Sequence, residues 1–186
     1  MLIPGTVSKI GILLYPGFEP QDVVGPQEAF LGTVGKKKLK ISWLGPSMKP
    51  VSNMVENPDF NPMNSSFEIR IVPTHTYDNP PDLDLLIIPG GTATLDPKSA
   101  PAVDRVARFI KKTYPKLKYL LTVCTGAGIA AQSGILDGRR ATTNKAVWNQ
   151  TITMGPKVKW VPHARWVVDG NIWTTSGVSG TYTYYC

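Results

Sequence analysis

Three short apolar runs, each followed by small residues, constrain the fold of this chain more than any other feature. They are KIGILLYPG (9–17), LDLLIIPGG (83–91) and LKYLLTV (117–123). Continuous apolar stretches of this length are typical of strands buried on both faces of a sheet. A helical pattern separates the last two runs, because Val103, Val106 and Ile110 repeat at helical spacing within 100–114. Strands that alternate with helices predict an α/β fold with a mostly parallel sheet, whose carboxyl edge is the usual place for a ligand.

Cys124 directly follows the third run, and the four residues after it, 125–128, are small. They open a helical pattern that we expect to extend over 125–136. A strand that turns sharply into a helix exposes the corner side chain and needs small neighbours, as at a nucleophile elbow. We expect the helix N-terminus to stabilise a thiolate and a negative charge on a substrate. The alternative is an inert core cysteine, because free cysteines are commonly buried.

Two further groups are expected at the same edge of the sheet. Gly90 and Gly91 follow a buried strand, and their backbone N–H groups can approach a ligand closely, although an ordinary turn would need the same residues. Asp22 follows the first strand, where its carboxyl group can exchange protons with the thiol. Its alternative role is to cap a helix over 20–34, in which Gly25-Pro26 predicts a kink or a new helix start.

Turn and strand signals organise the rest of the chain. The segment 38–45 is predicted to be the second strand, and 46–66 a long loop. Residues 66–77 alternate like an exposed strand or hairpin arm. Strands are expected over 157–177, where VDGN is a strong signal for a hairpin turn.

The net charge of +7 does not by itself identify a partner. The lysine-rich stretches 36–40 and 111–118 each lie where a predicted helix gives way to a strand, as expected of a solvated surface. We expect no nucleic-acid partner, because neither aromatic interleaving nor a recognition motif accompanies the charge. We also expect no membrane partner and no signal peptide, since the apolar runs are far shorter than the ~20 residues of a membrane span.

Cysteine and histidine are sparse, which disfavours a disulfide framework and gives no support for a metal site. The two cysteines are Cys124 and Cys186, and the two histidines are His75 and His163, all far apart in sequence. This usage favours a reducing cytoplasm and predicts no metal. A cysteine–histidine hydrolase is disfavoured, because Thr125 rather than histidine follows the cysteine.

Four blocks of sequence carry a resemblance to a known family. They are IGILLYPGFEPQDVVGPQEAF (10–30), DLDLLIIPGG (82–91), VCTGAGIAAQSGILDGRRATT (123–143) and VVDGNIWTTSGVSG (167–180). Together they make the chain resemble the ThiJ/PfpI superfamily, which is related to class I glutamine amidotransferase domains. Within that superfamily the chain is most similar to the isonitrile (isocyanide) hydratases.

The resemblance implies a single domain over 1–186 with a flavodoxin-like, three-layer α/β sandwich, a homodimer and no cofactor. It assigns the nucleophile to Cys124, the acid–base carboxyl to Asp22 and a supporting contact to Thr125. The implied reaction hydrates an isonitrile to an N-substituted formamide through a thioimidate on the cysteine.

The chain departs from the family pattern at two places. Asn144-Lys145 stands where hydratase relatives often have histidine, and the sequence stops at TSGVSGTYTYYC (175–186), where relatives continue into another helix. We therefore expect weaker stability and dimerisation. Three other functions stay open: a glyoxalase-like carbonyl-adduct enzyme, a redox-sensing or interaction protein, and a truncated inactive homologue.

Overall fold

A computed structural model describes residues 7–31 and 38–177 of the chain. The strands in these ranges are β1 (Lys9–Leu13), β2 (Lys40–Gly45), β3 (Val51–Ser52), β4 (Arg70–Ile71), β5 (His75–Thr76), β6 (Leu85–Ile88), β7 (Tyr119–Val123), β8 (Arg140–Ala141), β9 (Lys159–Trp160), β10 (Trp166–Asp169) and β11 (Ile172–Thr175). The α-helices are α1 (Pro20–Leu31), α2 (Ala100–Thr113), α3 (Gly126–Gln132) and α4 (Trp148–Ile152).

The centre of the molecule is a seven-stranded sheet in the order β10-β11-β7-β6-β1-β2-β5. Every neighbouring pair is parallel except β10 and β11, which are antiparallel. The predicted α/β architecture with a mostly parallel sheet is therefore confirmed. Two small sheets lie outside it: β3 pairs with β4, and β8 with β9.

The core follows from the apolar runs. Ile10, Ile12, Leu86 and Leu120 have no solvent exposure, because β1, β6 and β7 are central strands covered on both faces. Helix α2 buries Val103, Val106 and Ile110, among others, as their spacing predicts.

The chain reverses its direction of winding between β1 and β6. From β1 it moves outward to β2 and β5, and it then crosses back to place β6 and β7 on the other side of β1. In open α/β sheets such a switch point opens a crevice at the carboxyl ends of the strands. The segments that follow β1, β6 and β7 therefore meet there, and these are the segments that hold the candidate site residues.

Two predicted elements differ from those observed, and for a third one of two predicted alternatives is excluded. Helix α1 runs from Pro20 through Pro26 to Leu31, so Gly25-Pro26 does not start a new helix, and the predicted residues 32–34 lie outside the described part. Helix α3 ends at Gln132 rather than at residue 136, because Gly134 takes a positive φ of 84°. The segment 66–77 contains only the two-residue strands β4 and β5, which belong to different sheets.

The predicted hairpin over VDGN is confirmed. Asp169 pairs with Ile172, and the two residues between them form the turn, with Gly170 at a positive φ of 62°. The expectation about a missing closing helix concerns residues 178–186, which lie outside the described part. No helix in the described ranges is long and apolar enough to cross a bilayer.

Candidate active site

Cys124 lies at a strained corner between β7 and α3. Its φ is +57°, a left-handed conformation that a residue with a Cβ rarely adopts. Two hydrogen bonds hold this backbone: its N–H donates to the Thr175 carbonyl at 3.1 Å, and its carbonyl accepts from Thr143 Oγ1 at 2.9 Å. The corner also requires glycine at 126, since a Cβ there would lie 2.3 Å from the Ile88 carbonyl oxygen. This geometry is that of the predicted nucleophile elbow.

Asp22 lies in the first turn of α1, but it does not cap that helix. Its side chain is fully buried, and Oδ2 accepts a hydrogen bond from the Gly90 N–H at 2.9 Å. The other oxygen, Oδ1, is buried without a hydrogen bond from the described residues. An acceptor left without a partner in a buried place is costly, which is typical of a functional site.

Burial raises the pKa of Asp22 to about 7. This value is the net result: the charge of Glu19 also raises the pKa, while the Gly90 N–H and the Cys124 thiol lower it. A carboxyl group with a pKa near neutrality can both take and give a proton under physiological conditions.

Thr125, Gly90 and Gly91 form a tight connection between β6 and the elbow. Thr125 is buried, and its Oγ1 accepts a hydrogen bond from the Gly91 N–H at 3.0 Å. A Cβ on Gly90 would lie 2.6 Å from Thr125 Oγ1 and 3.0 Å from Asp22 Oδ2. The structure thus brings all five predicted site residues together at the switch point.

The prediction that an N–H group of Gly90 or Gly91 faces a ligand needs a correction. The Gly90 N–H donates to Asp22 and the Gly91 N–H donates to Thr125. Both donors are therefore used within the site, where they hold the Asp22 carboxyl group and the Thr125 side chain in place.

The expected thiolate is also corrected. Burial raises the pKa of the Cys124 thiol to about 12, and the negative charge of Asp22 contributes in the same direction. The Thr125 backbone N–H and the Asn144 side chain lower it, but by less. Burial outweighs these two hydrogen bonds, so the pKa of the thiol is raised overall and the protonated form is favoured.

Three residues at the site were missed at the sequence level. Asn144 Nδ2 lies 3.0 Å from Cys124 Sγ, and Tyr15 is buried with its hydroxyl donating to the Pro89 carbonyl at 2.7 Å. Glu19 raises the pKa of both Asp22 and Cys124. The departure from the family pattern at Asn144 was the one signal in the sequence, whereas Tyr15 and Glu19 lie in the block 10–30, in which only Asp22 has a predicted role.

The histidines do not join the site. His75 hydrogen-bonds Thr74 Oγ1 in the edge strand β5, and His163 is exposed. Neither residue shifts the pKa of Cys124 or Asp22. Within the described ranges, no group of three or more acidic, histidine or cysteine side chains is arranged to hold a metal ion.

Together these groups can deliver a nucleophile and a proton to one small molecule. A sulfur atom in this position can supply an electron pair, and an adjacent carboxyl group can move protons between sulfur, a substrate and water. As in a Cys–His pair, a thiol lies next to a group that can transfer protons, but here that group is a buried aspartate and not a histidine.

Two curated proteins illustrate the sequences to which this chain is similar. An isonitrile hydratase of Pseudomonas putida is 29% identical over 174 residues, which cover 92% of this chain and 66% of the relative. A deglycase of Pyrococcus abyssi is 35% identical over 102 residues, which cover 55% of this chain and 57% of the relative. The chain thus spans between about half and two thirds of the length of these relatives.

Solved structures with the same fold are similar across nearly the whole chain. A ThiJ/PfpI family protein of Pseudomonas syringae has a TM-score of 0.66 and 26% identity, covering 100% of this chain and 72% of its own. A DJ-1 superfamily protein of Agrobacterium tumefaciens has a TM-score of 0.67 and 22% identity, covering 95% of this chain and 87% of its own. The predicted flavodoxin-like fold is confirmed by these matches. Since its sequence matches the DJ-1/PfpI family over residues 8–186, the chain belongs to that family.

Proposed function

We propose that this protein is a hydratase that converts an isonitrile, R–N≡C, and water into an N-substituted formamide. The observation that carries the proposal is the pairing of a protonated thiol on Cys124 with the buried Asp22 carboxyl, whose pKa is about 7. Addition of S–H to one carbon atom needs a group that accepts a proton at sulfur and delivers it nearby. A carboxyl group with this pKa is matched to that task.

In the first step the thiol adds to the terminal carbon of the isonitrile. Asp22 accepts the S–H proton and passes it to that carbon, while the sulfur forms the S–C bond. The product is the thioimidate R–N=CH–S–Cys124, and nothing leaves. Asp22 ends the step as a carboxylate.

In the second step water attacks the same carbon. Asp22 takes a proton from the water and delivers it to the nitrogen, which gives R–NH–CH(OH)–S–Cys124. The C–S bond then breaks, and the hydroxyl proton returns to sulfur through Asp22. The formamide R–NH–CHO leaves, and the thiol and the carboxylate are regenerated.

The relatives support this substrate class without deciding it. The curated isonitrile hydratase aligns with 92% of this chain, and the deglycase of Pyrococcus abyssi aligns with 55%. The broader alignment favours the hydratase, while the higher identity of the shorter one keeps a carbonyl-adduct enzyme as the second candidate.

A redox sensor is the less suitable reading of the same cysteine. Oxidants react with thiolates, and sensor cysteines have lowered pKa values and open access. Cys124 has the opposite features, because it is partly buried and its pKa is raised to about 12.

We further propose that the protein works as a cytoplasmic homodimer without a cofactor. The free thiol of Cys124 suits a reducing compartment. The acid–base steps written above need water and no other reactant.

A two-substrate assay tests the proposal. The protein is given a simple aryl or alkyl isonitrile in one reaction and a glycated amine in another, and formamide formation and amine release are followed. We expect formamide from the first reaction and a loss of at least a hundredfold in that activity for Asp22→Asn. Amine release without any formamide from the folded protein would replace the hydratase with the carbonyl-adduct enzyme.

A further inference from the structure

Asn144 contacts the sulfur of Cys124 and follows that cysteine in the sequence, whereas Asp22 precedes it. Its amide nitrogen Nδ2 lies 3.0 Å from Sγ, within hydrogen-bond distance for a sulfur acceptor. The residue follows β8 and is partly buried. It therefore reaches the thiol from a segment that contributes none of the five predicted site residues.

The orientation of this amide is fixed by its other end. Oδ1 accepts hydrogen bonds from the backbone N–H of Ala146 at 2.8 Å and of Val147 at 3.3 Å. Two N–H donors can only face an oxygen, so the NH₂ group must face the sulfur. The amide is thus a donor to Sγ, held in place before any substrate binds.

The two residues before Asn144 anchor the segment to the site. Thr143 Oγ1 donates to the Cys124 carbonyl at 2.9 Å, and the Thr142 N–H donates to Thr174 Oγ1 at 2.9 Å. Thr143 and Asn144 therefore hold the backbone and the sulfur of the same cysteine. Such double fixation limits the positions that the sulfur can take.

We propose that Asn144 is a positioning residue that directs its amide N–H at Cys124 Sγ and stabilises the negative charge that develops on sulfur when the thiol loses its proton. The inference deepens the proposed function, since it concerns the nucleophile of the same site. Asn144 transfers no proton, because an amide does not titrate in this range, so proton transfer remains with Asp22.

The role predicts a specific ranking of substitutions. Asn144→Ala removes the amide N–H donor, so Cys124 Sγ loses this hydrogen bond. Asn144→Asp keeps an oxygen that can accept from Ala146 and Val147, but it turns a second, charged oxygen toward the sulfur. The thiolate should therefore be disfavoured by Asn144→Ala and disfavoured more strongly by Asn144→Asp.

The experiment measures the alkylation rate of Cys124 by iodoacetamide between pH 7 and pH 10. It uses the full chain carrying Cys186→Ser, which leaves Cys124 as the only cysteine. Thermal melting checks that each variant is folded. The matched controls are Asn149→Ala and Asn149→Asp, which make the same changes at an exposed residue of α4.

At every pH below the thiol pKa, we expect alkylation to slow by about tenfold in Asn144→Ala and by more in Asn144→Asp. The Asn149 variants should stay within about twofold of the parent. If Asn144→Ala does not fold, Asn144→Asp decides, because it retains the backbone contacts. An unchanged or faster rate in folded Asn144→Asp, or an equal loss in the Asn149 controls, would overturn the proposal.

The same measurement separates this inference from the proposed function. Alkylation requires a reactive sulfur but no isonitrile. Slowed alkylation in a protein that turns over no isonitrile would uphold the role of Asn144 and remove the hydratase. Formamide formation by the parent protein, together with unaltered alkylation in the Asn144 variants, would uphold the hydratase and overturn the role of Asn144.

Discussion

At the scale of single residues, the central group of the site is an aspartate whose pKa is raised by burial to near neutrality. Asp22 has no solvent exposure, and its pKa is about 7 instead of the value near 4 of an exposed aspartate. A buried carboxylate without full hydrogen bonding reduces the stability of the fold. This loss of stability occurs next to Cys124, as expected if the Asp22 carboxyl group is needed there for proton transfer.

Asp22→Asn should therefore lower the activity by at least a hundredfold and yet stabilise the protein above neutral pH. The raised pKa means that folding binds a proton between about pH 4 and pH 7, so the wild-type stability falls as the pH rises through that window. The asparagine variant lacks this fall, and its advantage should grow to about 2–4 kcal/mol near pH 8. Urea unfolding of both proteins at pH 4, 6 and 8 measures it. A difference that does not change with pH would contradict the assigned pKa.

Gly90→Ala should disrupt the site from the opposite side. The new Cβ would lie 2.6 Å from Thr125 Oγ1, 2.7 Å from the Thr125 nitrogen and 3.0 Å from Asp22 Oδ2, so the backbone must move. We expect a loss of about 1–3 kcal/mol in unfolding free energy and at least tenfold lower activity. Gly177→Ala is the control, since a Cβ there meets nothing within 4 Å. Equal behaviour of the two variants would argue against the tight contact.

At the scale of elements, the strands and the elbow could be predicted, but several of the elements between them could not. The apolar runs placed β1, β6 and β7, and their adjacency brought Asp22, Gly90 and Cys124 together. The break in 66–77 follows from tertiary pairing that no local pattern contains, with Pro73 between the two strands. The contact of Asn144 with sulfur depends on the path from α3 to β8, and the raised thiol pKa depends on burial, so neither could be read from spacing.

Asp84 shows how one side chain ties three of these strands at their starts. Its Oδ2 accepts from the N–H groups of Ser8 at 2.8 Å and Lys9 at 3.0 Å, and its Oδ1 pairs with Lys118 Nζ at 2.8 Å. Although burial opposes ionisation, the hydrogen bonds with Lys118, Ser8 and Lys9 hold its pKa well below the usual range.

Asp84→Asn should lower the unfolding free energy at pH 7 by about 1–3 kcal/mol. Because the pKa of Asp84 is lowered in the folded state, its contribution is complete above about pH 4 and is lost as the pH falls further. Denaturant unfolding between pH 7 and pH 2 should show the two proteins converging in acid. Asp82→Asn is the control, since its ion pair with Lys9 is 92% exposed on the aspartate side and should change stability by less than about 0.5 kcal/mol. A difference at pH 2 as large as the difference at pH 7 would contradict the role of the Asp84 charge.

At the scale of the whole molecule, one sheet edge gathers groups that are far apart in sequence. Asp22, Cys124 and Asn144 come from the segments after β1, β7 and β8. The fold fixes their arrangement, whereas the chemistry depends on how deeply they are buried. Family membership follows from the matching sequence over residues 8–186.

The homodimer is a prediction at this scale. Light scattering coupled to size-exclusion chromatography should give a mass of about twice the 20.3 kDa of one chain. A mass of one chain at all concentrations up to tens of micromolar would contradict it.

The central claim is that Cys124 supplies the nucleophile for hydration of an isonitrile. Its most direct test compares formamide formation by the wild-type protein and by Cys124→Ala, both verified as folded by thermal melting. We predict steady formamide formation by the wild type and a loss of at least a thousandfold in the variant, because the thioimidate can no longer form. Formamide formation by folded Cys124→Ala at a rate near that of the wild type would contradict it.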